Sequence, residues 1–170
     1  MTTPTTLIIG ATSAMAEHAA RRFAADGDIL LLSARDETRL RDISEDLKLR
    51  GAADVRPLPA FDAADPAGTD ALCAAIREGE GRIDRVLVAH GSLPDQEVCG
   101  EDAAAAAREL EINFVSAVRI CTAVAERLEG QGGGTLAVIS SVAGLRGRQS
   151  NYIYGAAKGG LNVFLQGLRN

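Results

Sequence analysis

The sequence predicts an α/β fold, a doubly wound parallel sheet flanked by helices, from three observations. Five short β-branched or apolar runs alternate along the chain with amphipathic helical stretches. The first run leads directly into a small-residue turn, Gly10-Ala11-Thr12-Ser13-Ala14-Met15-Ala16, and then a helix. Right-handed crossovers between parallel strands place the strand C-termini, and with them Gly10, Arg35, Gly91 and Ser141, on one edge.

A chain of 170 residues is long enough for one domain with a hydrophobic core, and a single domain over residues 1–170 is expected. Hydrophobic residues make up 46%, aromatics only 4%, and Trp is absent, so the core is expected to be built from Ala, Leu, Val and Ile. Eighteen basic against 23 acidic side chains give a net charge of -5 with no block of one sign, which argues against a nucleic-acid surface. Cys73, Cys99 and Cys121 are widely spaced and lack partner histidines; two fall in helical stretches. They read as buried thiols, not ligands or disulfides, and no metal is expected. No apolar run approaches the ~18 residues of a membrane span, and no basic-then-apolar leader opens the chain. A soluble cytoplasmic protein is expected.

Thr5 to Ile9 reads as a buried strand. The helix after it runs to about Ala25 and buries Ala16, Ala19, Ala20, Phe23 and Ala24. A strand, a tight small-residue turn and a helix N-terminus form a phosphate cradle, because orphan amides and the helix dipole attract anions. Gly10, Thr12, Ser13, Ala14 and Met15 are its candidate residues. The second strand, Asp28 to Ser33, ends without the acidic residue that usually reads a free ribose 2′-hydroxyl; Arg35 follows. A guanidinium there can pair with a 2′-phosphate, which favours NADP(H) while NAD(H) stays possible. Alternatively Arg35 is a solvated arginine paired with Asp36 or Glu37.

A helix over Glu37 to Arg50 turns Leu40, Ile43, Leu47 and Leu49 inward, and Val55 to Pro59 is a short third strand. Asp65-Pro66 reads as N-cap and first helical residue of a stretch through Ala71, Leu72, Ala75 and Ile76. Arg82 to Ala89 leads into a fourth strand ending at Ala89-His90-Gly91. His90 has three open roles: cofactor contact, structural hydrogen bond or proton relay. His18 reads as a surface residue, and two distant histidines do not make a zinc site. Ser92 to Asp102 reads as a loop, Ala103 to about Glu129 as one long helix, and Thr135 to Ile139 as the fifth strand delivering Ser140 and Ser141.

Tyr154 and Lys158 are four residues apart, so on a helix they share one face. A phenol near pKa 10 is a poor acid or base at neutral pH, and an ammonium beside a phenol favours the phenolate. Such a phenol can exchange a proton with a carbonyl or alcohol oxygen that a serine also holds, and Ser141 lies thirteen residues before Tyr154. Tyr152 has Ala156, not a lysine, four residues on, and reads as packing.

These residues, in order and at these separations, resemble the classical short-chain dehydrogenase/reductases. The family's Tyr-x-x-x-Lys matches at Tyr154 and Lys158, its catalytic serine at Ser141 and its active-site asparagine at Asn113. The resemblance implies a Rossmann-like sheet in the order 3-2-1-4-5. It further implies hydride exchange between NADP(H) and a carbonyl or secondary alcohol, with Tyr154 as general acid/base. Ser141 would then bind the substrate oxygen, Lys158 would hold the nicotinamide ribose, and Asn113 would break its helix locally and hold a relay water. Asp62 falls where the family places an acid against adenine, although a turn acid explains it nearly as well.

Several positions depart from the family. Ala14 and Ala16 replace glycines of the first motif, and Val88, Ala89 and His90 stand where Asn-Asn-Ala is usual before Gly91. The chain ends at Leu168-Arg169-Asn170, inside the Tyr-bearing helix, where family members continue with further strands and a lid. It therefore reads as C-terminally incomplete relative to the family, truncated after the fifth strand and that helix. Family members pair as homodimers or homotetramers, expected here if the chain is full length.

The stretches Gly10-Ala11-Thr12-Ser13, His90-Gly91 and Ser150 through Lys158 are together similar to the branch that reduces a lipid-linked 2-keto-ribose, decaprenylphosphoryl-2-keto-ribose reductase. That implies a keto-sugar or lipid-linked keto-sugar substrate, to which Arg146 or Arg148 could offer a cation. The competing readings are a cofactor-binding scaffold or regulator without turnover, and a truncated reductase without a role.

Overall fold

Side-chain alternation along Thr5–Ile9 (β1) decides the layering. Leu7 and Ile9 pack into one hydrophobic cluster and Ile8 into another, all fully buried, so β1 lies at the centre of a sheet covered on both faces. A computed structural model describes residues 3–169 and joins β1 to Ile29–Ser33 (β2), Asp54–Pro57 (β3), Arg85–Val88 (β4) and Thr135–Val138 (β5). All neighbouring strands are parallel and the order is 3-2-1-4-5, as expected.

On one face lie helices α1 (Ala14–Ala25) and α2 (Glu37–Leu49). Ala16, Ala20 and Ala24 recur every fourth residue and are fully buried, so small methyls let α1 approach Ile8, Leu30 and Leu32 closely. On the other face α3 (Pro66–Glu78) and α6 (Ser116–Gly130) bring Leu72, Ile76, Ile120 and Val124 against Leu7, Ile9, Val86 and Val88. The start of α3 is capped by a side chain, as the Asp65-Pro66 pair predicts: Asp65 accepts from the N–H groups of Ala67 and Gly68. At the N-terminal ends of the strands, Asp28 is almost wholly buried. It accepts from Thr6 Oγ1 at 2.6 Å and pairs with Arg85 at 3.0 Å, tying β1, β2 and β4 together far from the opposite edge.

The structure corrects several expectations. Ser92 to Asp102 is not all loop: Gln96–Glu101 forms a short helix, α4, capped by Asp95. The long helix expected over Ala103 to about Glu129 is present and continuous: α5 (Ala103–Leu110) passes through a π-helical turn at Glu111–Val115, where a local break at Asn113 is expected, into α6. Leu49 is 89% exposed, because it falls off the Leu40, Ile43, Leu47 stripe. All three cysteines, not two, are helical, and all three are buried. The last helix, α7, spans Tyr152–Leu168. Asn170, at which the chain was expected to stop within that helix, lies outside the described residues.

Candidate active site

The C-terminal ends of β1, β2 and β4 open into a cleft of about 290 Å³. It is lined by Gly10, Thr12 and Ser13 after β1, Arg35 after β2, Asp62, and Ala89, His90 and Gly91 after β4. Gly10 has φ +79°, and a Cβ there would stand 2.6 Å from the His90 backbone nitrogen. Only glycine lets the two strand ends approach this closely. Ser13 caps α1, accepting from the Ala16 N–H at 3.2 Å. Ala14 and Met15 open α1 but do not line the cleft, and Met15 is 62% exposed. The family departures have a physical account: the Ala14 methyl lies at an exposed position and the Ala16 methyl fills the α1–sheet contact. Arg35 is exposed at the cleft, while Asp36 caps α2 through the Arg39 N–H, and Arg39 pairs with Glu17. Asp62 accepts from the Ala64 N–H, so it is also a turn residue.

This chain's residues therefore fit a dinucleotide. The cleft offers a helix N-terminus and small-residue turn suited to phosphates, the Arg35 cation at the end of β2, and a floor of backbone at Ala89 to Gly91. Where the family's asparagine would join the central strands, main-chain bonds do so: the Ala89 N–H to Ile9 O at 2.8 Å and the Ile139 N–H to Val88 O at 2.9 Å. Val88 is part of the apolar core instead.

His90 is held by Phe61 and by Ser116 of α6. Its ring meets Phe61 edge-on at 5.1 Å, and Nε2 lies 3.0 Å from Ser116 Oγ. Ser116 Oγ donates its own proton to Ile112 O at 2.9 Å, so Nε2 carries the hydrogen and Nδ1 is bare. Burial, with Lys158 nearby, pushes the His90 pKa down to about 4, so the imidazole is neutral at neutral pH. The hydrogen bond to Ser116, 26 residues away, could not be read from the sequence.

Beyond Gly91 the candidate catalytic side chains gather. Asn113 sits in the π-helical turn and is 1% exposed. Lys158, on α7, is 4% exposed, and burial holds its ammonium below the usual lysine pKa. Its Nζ stands 5.8 Å from the Tyr154 ring centroid, so the helical spacing does put the two on one face. A Cβ on Gly91 would lie 2.9 Å from Asn113 Oδ1 and 3.6 Å from Lys158 Nζ, so both atoms border one small space at the end of β4. Ser141 caps a 3₁₀ turn at Val142–Leu145, accepting from the Ala143 N–H at 3.1 Å. That turn docks on α7 by backbone contact: a Cβ on Gly144 would stand 2.6 Å from the Gly159 nitrogen, and one on Gly155 would stand 3.0 Å from Ala143 O. Ser141 lines a different, wider cleft with Val142, Leu145, Asn162 and Val163, and does not line the first.

Ser92, Phe61 and Ile112 line the first cleft as well and were not singled out from the sequence; each is brought in from a different element. Among the described residues no cluster of three His, Cys, Asp or Glu side chains forms a metal site, and no helix is long and apolar enough to cross a membrane.

The chain matches the short chain dehydrogenase family over residues 4–170. An oxidoreductase of Mycobacterium tuberculosis is 38% identical over 162 residues, covering 95% of this chain and 64% of its own length. Among solved structures, the bulky-bulky ketone specific alcohol dehydrogenase from Comamonas testosteroni superposes with TM-score 0.90 at 27% identity, covering 99% of this chain and 67% of that one. A short-chain dehydrogenase from Sphingobium yanoikuyae in complex with NADPH superposes with TM-score 0.83 at 30% identity, covering 98% and 65%. This chain thus spans somewhat under two thirds of the curated relative's length.

Proposed function

The chain belongs to the short-chain dehydrogenase family, and we propose that it is an NADP(H)-dependent oxidoreductase interconverting a carbonyl and a secondary alcohol. The observation that carries this reading is the gathering of Asn113, Lys158 and Gly91 beside the cleft that begins at Gly10, with Tyr154 and Lys158 sharing one helical face.

A bound nicotinamide dinucleotide supplies or accepts the hydride. In the reductive direction Tyr154 donates the phenolic proton to the substrate oxygen, completing the alcohol. Lys158 stabilises the negative charge left on the tyrosine oxygen and reaches toward the ribose. Ser141 has an acceptor site occupied by the Ala143 N–H, which leaves its own proton to give to the substrate oxygen. Asn113 holds a water that returns a proton to the lysine. Gly10, Thr12 and Ser13 cradle the pyrophosphate, with Ala14 and Met15 offering first-turn amides, and Asp62 and Ala89 to Gly91 flank the adenosine half. Arg35 selects the 2′-phosphate, and the complex of the Sphingobium yanoikuyae relative with NADPH supports that preference.

A keto-sugar, free or lipid-linked, is the proposed substrate class, on the likeness of the His90-Gly91 and Ser150 to Lys158 segments. Residues 1–170 are proposed to form a single nucleotide-binding domain acting in the cytoplasm, with homodimers or homotetramers formed by the full-length protein. Turnover tests this directly: NADPH consumption is followed with small ketones and 2-keto-sugars for the wild type and Tyr154→Phe. The wild type should oxidise NADPH with at least one carbonyl, and the variant should lose roughly 10²–10⁴-fold in turnover while binding NADPH equally well. Binding without turnover of any carbonyl in the wild type would instead favour a cofactor-binding scaffold.

A further inference from the structure

A buried asparagine amide can face two ways, and only its hydrogen-bond network decides between them. Asn113 Oδ1 accepts from the Ser92 N–H at 3.1 Å. Asn113 Nδ2 donates to Ser92 Oγ at 2.9 Å, to the Glu109 backbone carbonyl at 3.1 Å and to Glu109 Oε2 at 3.1 Å. The Ser92 hydroxyl gives its own proton to the same Glu109 carboxylate oxygen, so Ser92 Oγ can only accept from Asn113. Reversing the amide would set Nδ2 against the Ser92 N–H and Oδ1 against the carboxylate and the carbonyl.

We propose that Glu109 is a positioning residue: it fixes the Asn113 amide so that the carbonyl oxygen faces Lys158 across Gly91. The position a Gly91 Cβ would take, 2.9 Å from Oδ1 and 3.6 Å from Nζ, locates the shared space. Lys158 needs an acceptor there, because its one hydrogen bond given by the described residues is long, 3.4 Å to Ile139 O, and the side chain is buried. The other titratable groups facing Lys158 are His90, neutral, and Tyr154 on its own helix. Around Glu109, Cys99 is held protonated by burial first and then by the nearby carboxylates of Glu109, Asp95 and Asp102. Glu109 acts through Asn113, so the inference rests on the proposed role of Asn113 and Lys158, but its test needs neither cofactor nor substrate.

The chain has two lysines, Lys48 and Lys158, so lysine-selective ¹³C labelling with a Lys48→Arg assignment variant follows Lys158 alone. The Lys158 midpoint is titrated by NMR in the full chain for wild type, Glu109→Gln and Glu109→Asp. Both variants should lower it by roughly half a unit to one unit, because the amide, left with the Ser92 N–H and the Glu109 main-chain carbonyl to orient it, is held less firmly with its oxygen toward the ammonium. A fall in Glu109→Gln with no change in Glu109→Asp would mean that charge acts through space, and would overturn the proposal. So would no change in either. Ser92→Ala removes one Nδ2 acceptor without touching the charge and should move the midpoint less, in the same direction. If neither Glu109 variant folds, an unchanged midpoint in Ser92→Ala overturns the proposal. NADPH binding by the wild type, read separately by fluorescence, distinguishes failure of the cofactor reading from failure of this one.

Discussion

The centre of the sheet and its β5 edge differ in how they hold their residues. β1 is covered on both faces and paired on both edges, with Leu7, Ile8 and Ile9 fully buried. β5 pairs only with β4, its residues alternate between exposed and half-buried, and Leu136 and Val138 border a groove beside Leu165 and Leu168. The cleft that begins at Gly10 is built on the first region, and Ser141 and the docking face of α7 on the second. A cradle that must place backbone amides within tenths of an ångström needs the rigid neighbourhood. A wall that shapes itself to a substrate can rest on the more open one.

Core truncation is the strongest way to break this contrast. Leu7→Ala should cost about 2–5 kcal/mol, because it leaves a cavity between β1 and α6. Val138→Ala should cost under about 1 kcal/mol, since half-exposed side chains give up little burial. Chemical denaturation of both variants checks the pair; equal losses would contradict the contrast. Glycines sharpen it further. Gly10 and Gly132 both have positive φ, at +79° and +83°, but only Gly10 has a neighbouring backbone where a Cβ would stand. Gly10→Ala should therefore cost about 3 kcal/mol or more and abolish NADPH binding. Gly132→Ala, in open space before β5, should cost about 1–2 kcal/mol from backbone strain alone.

His90 joins the regions, touching Phe61 on one side and Ser116 on the other. Its folded pKa of about 4 lies below the ordinary 6.5, so the unfolded chain takes up a proton first as pH falls. The stability from a neutral His90 is whole above pH 6.5 and drains away between 6.5 and about 4, a loss of roughly 2–3 kcal/mol. Thermal melts at pH 7 and pH 4.5 should show this loss in the wild type and a smaller one in His90→Asn.

Much of the first region was legible because its signals are local. Strand runs, the Gly10 turn, the Asp65-Pro66 cap and the alanine stripe each follow from neighbours in the chain. The separations from Asn113 to Lys158 carried the candidate site in the same way. What escaped depends on contacts across the chain. α4 has only Val98 and Cys99 as apolar residues, with Gly100 inside, so no stripe announces it. The π-helical turn was anticipated only as a break at Asn113, while the Ser92 and Glu109 bonds that engage the Asn113 side chain needed the fold. Leu49 was misread because an apolar residue two positions past Leu47 turns away from the face that Leu40, Ile43 and Leu47 share.

The central claim, that the first region is a working NADP(H) cradle, is tested most directly by titrating the folded chain with NADPH and NADH, following nucleotide fluorescence, for wild type and Arg35→Ala. The account predicts tight NADPH binding, weaker NADH binding, and a loss of about tenfold for NADPH alone when the guanidinium is removed. A folded wild type that binds neither nucleotide would contradict it.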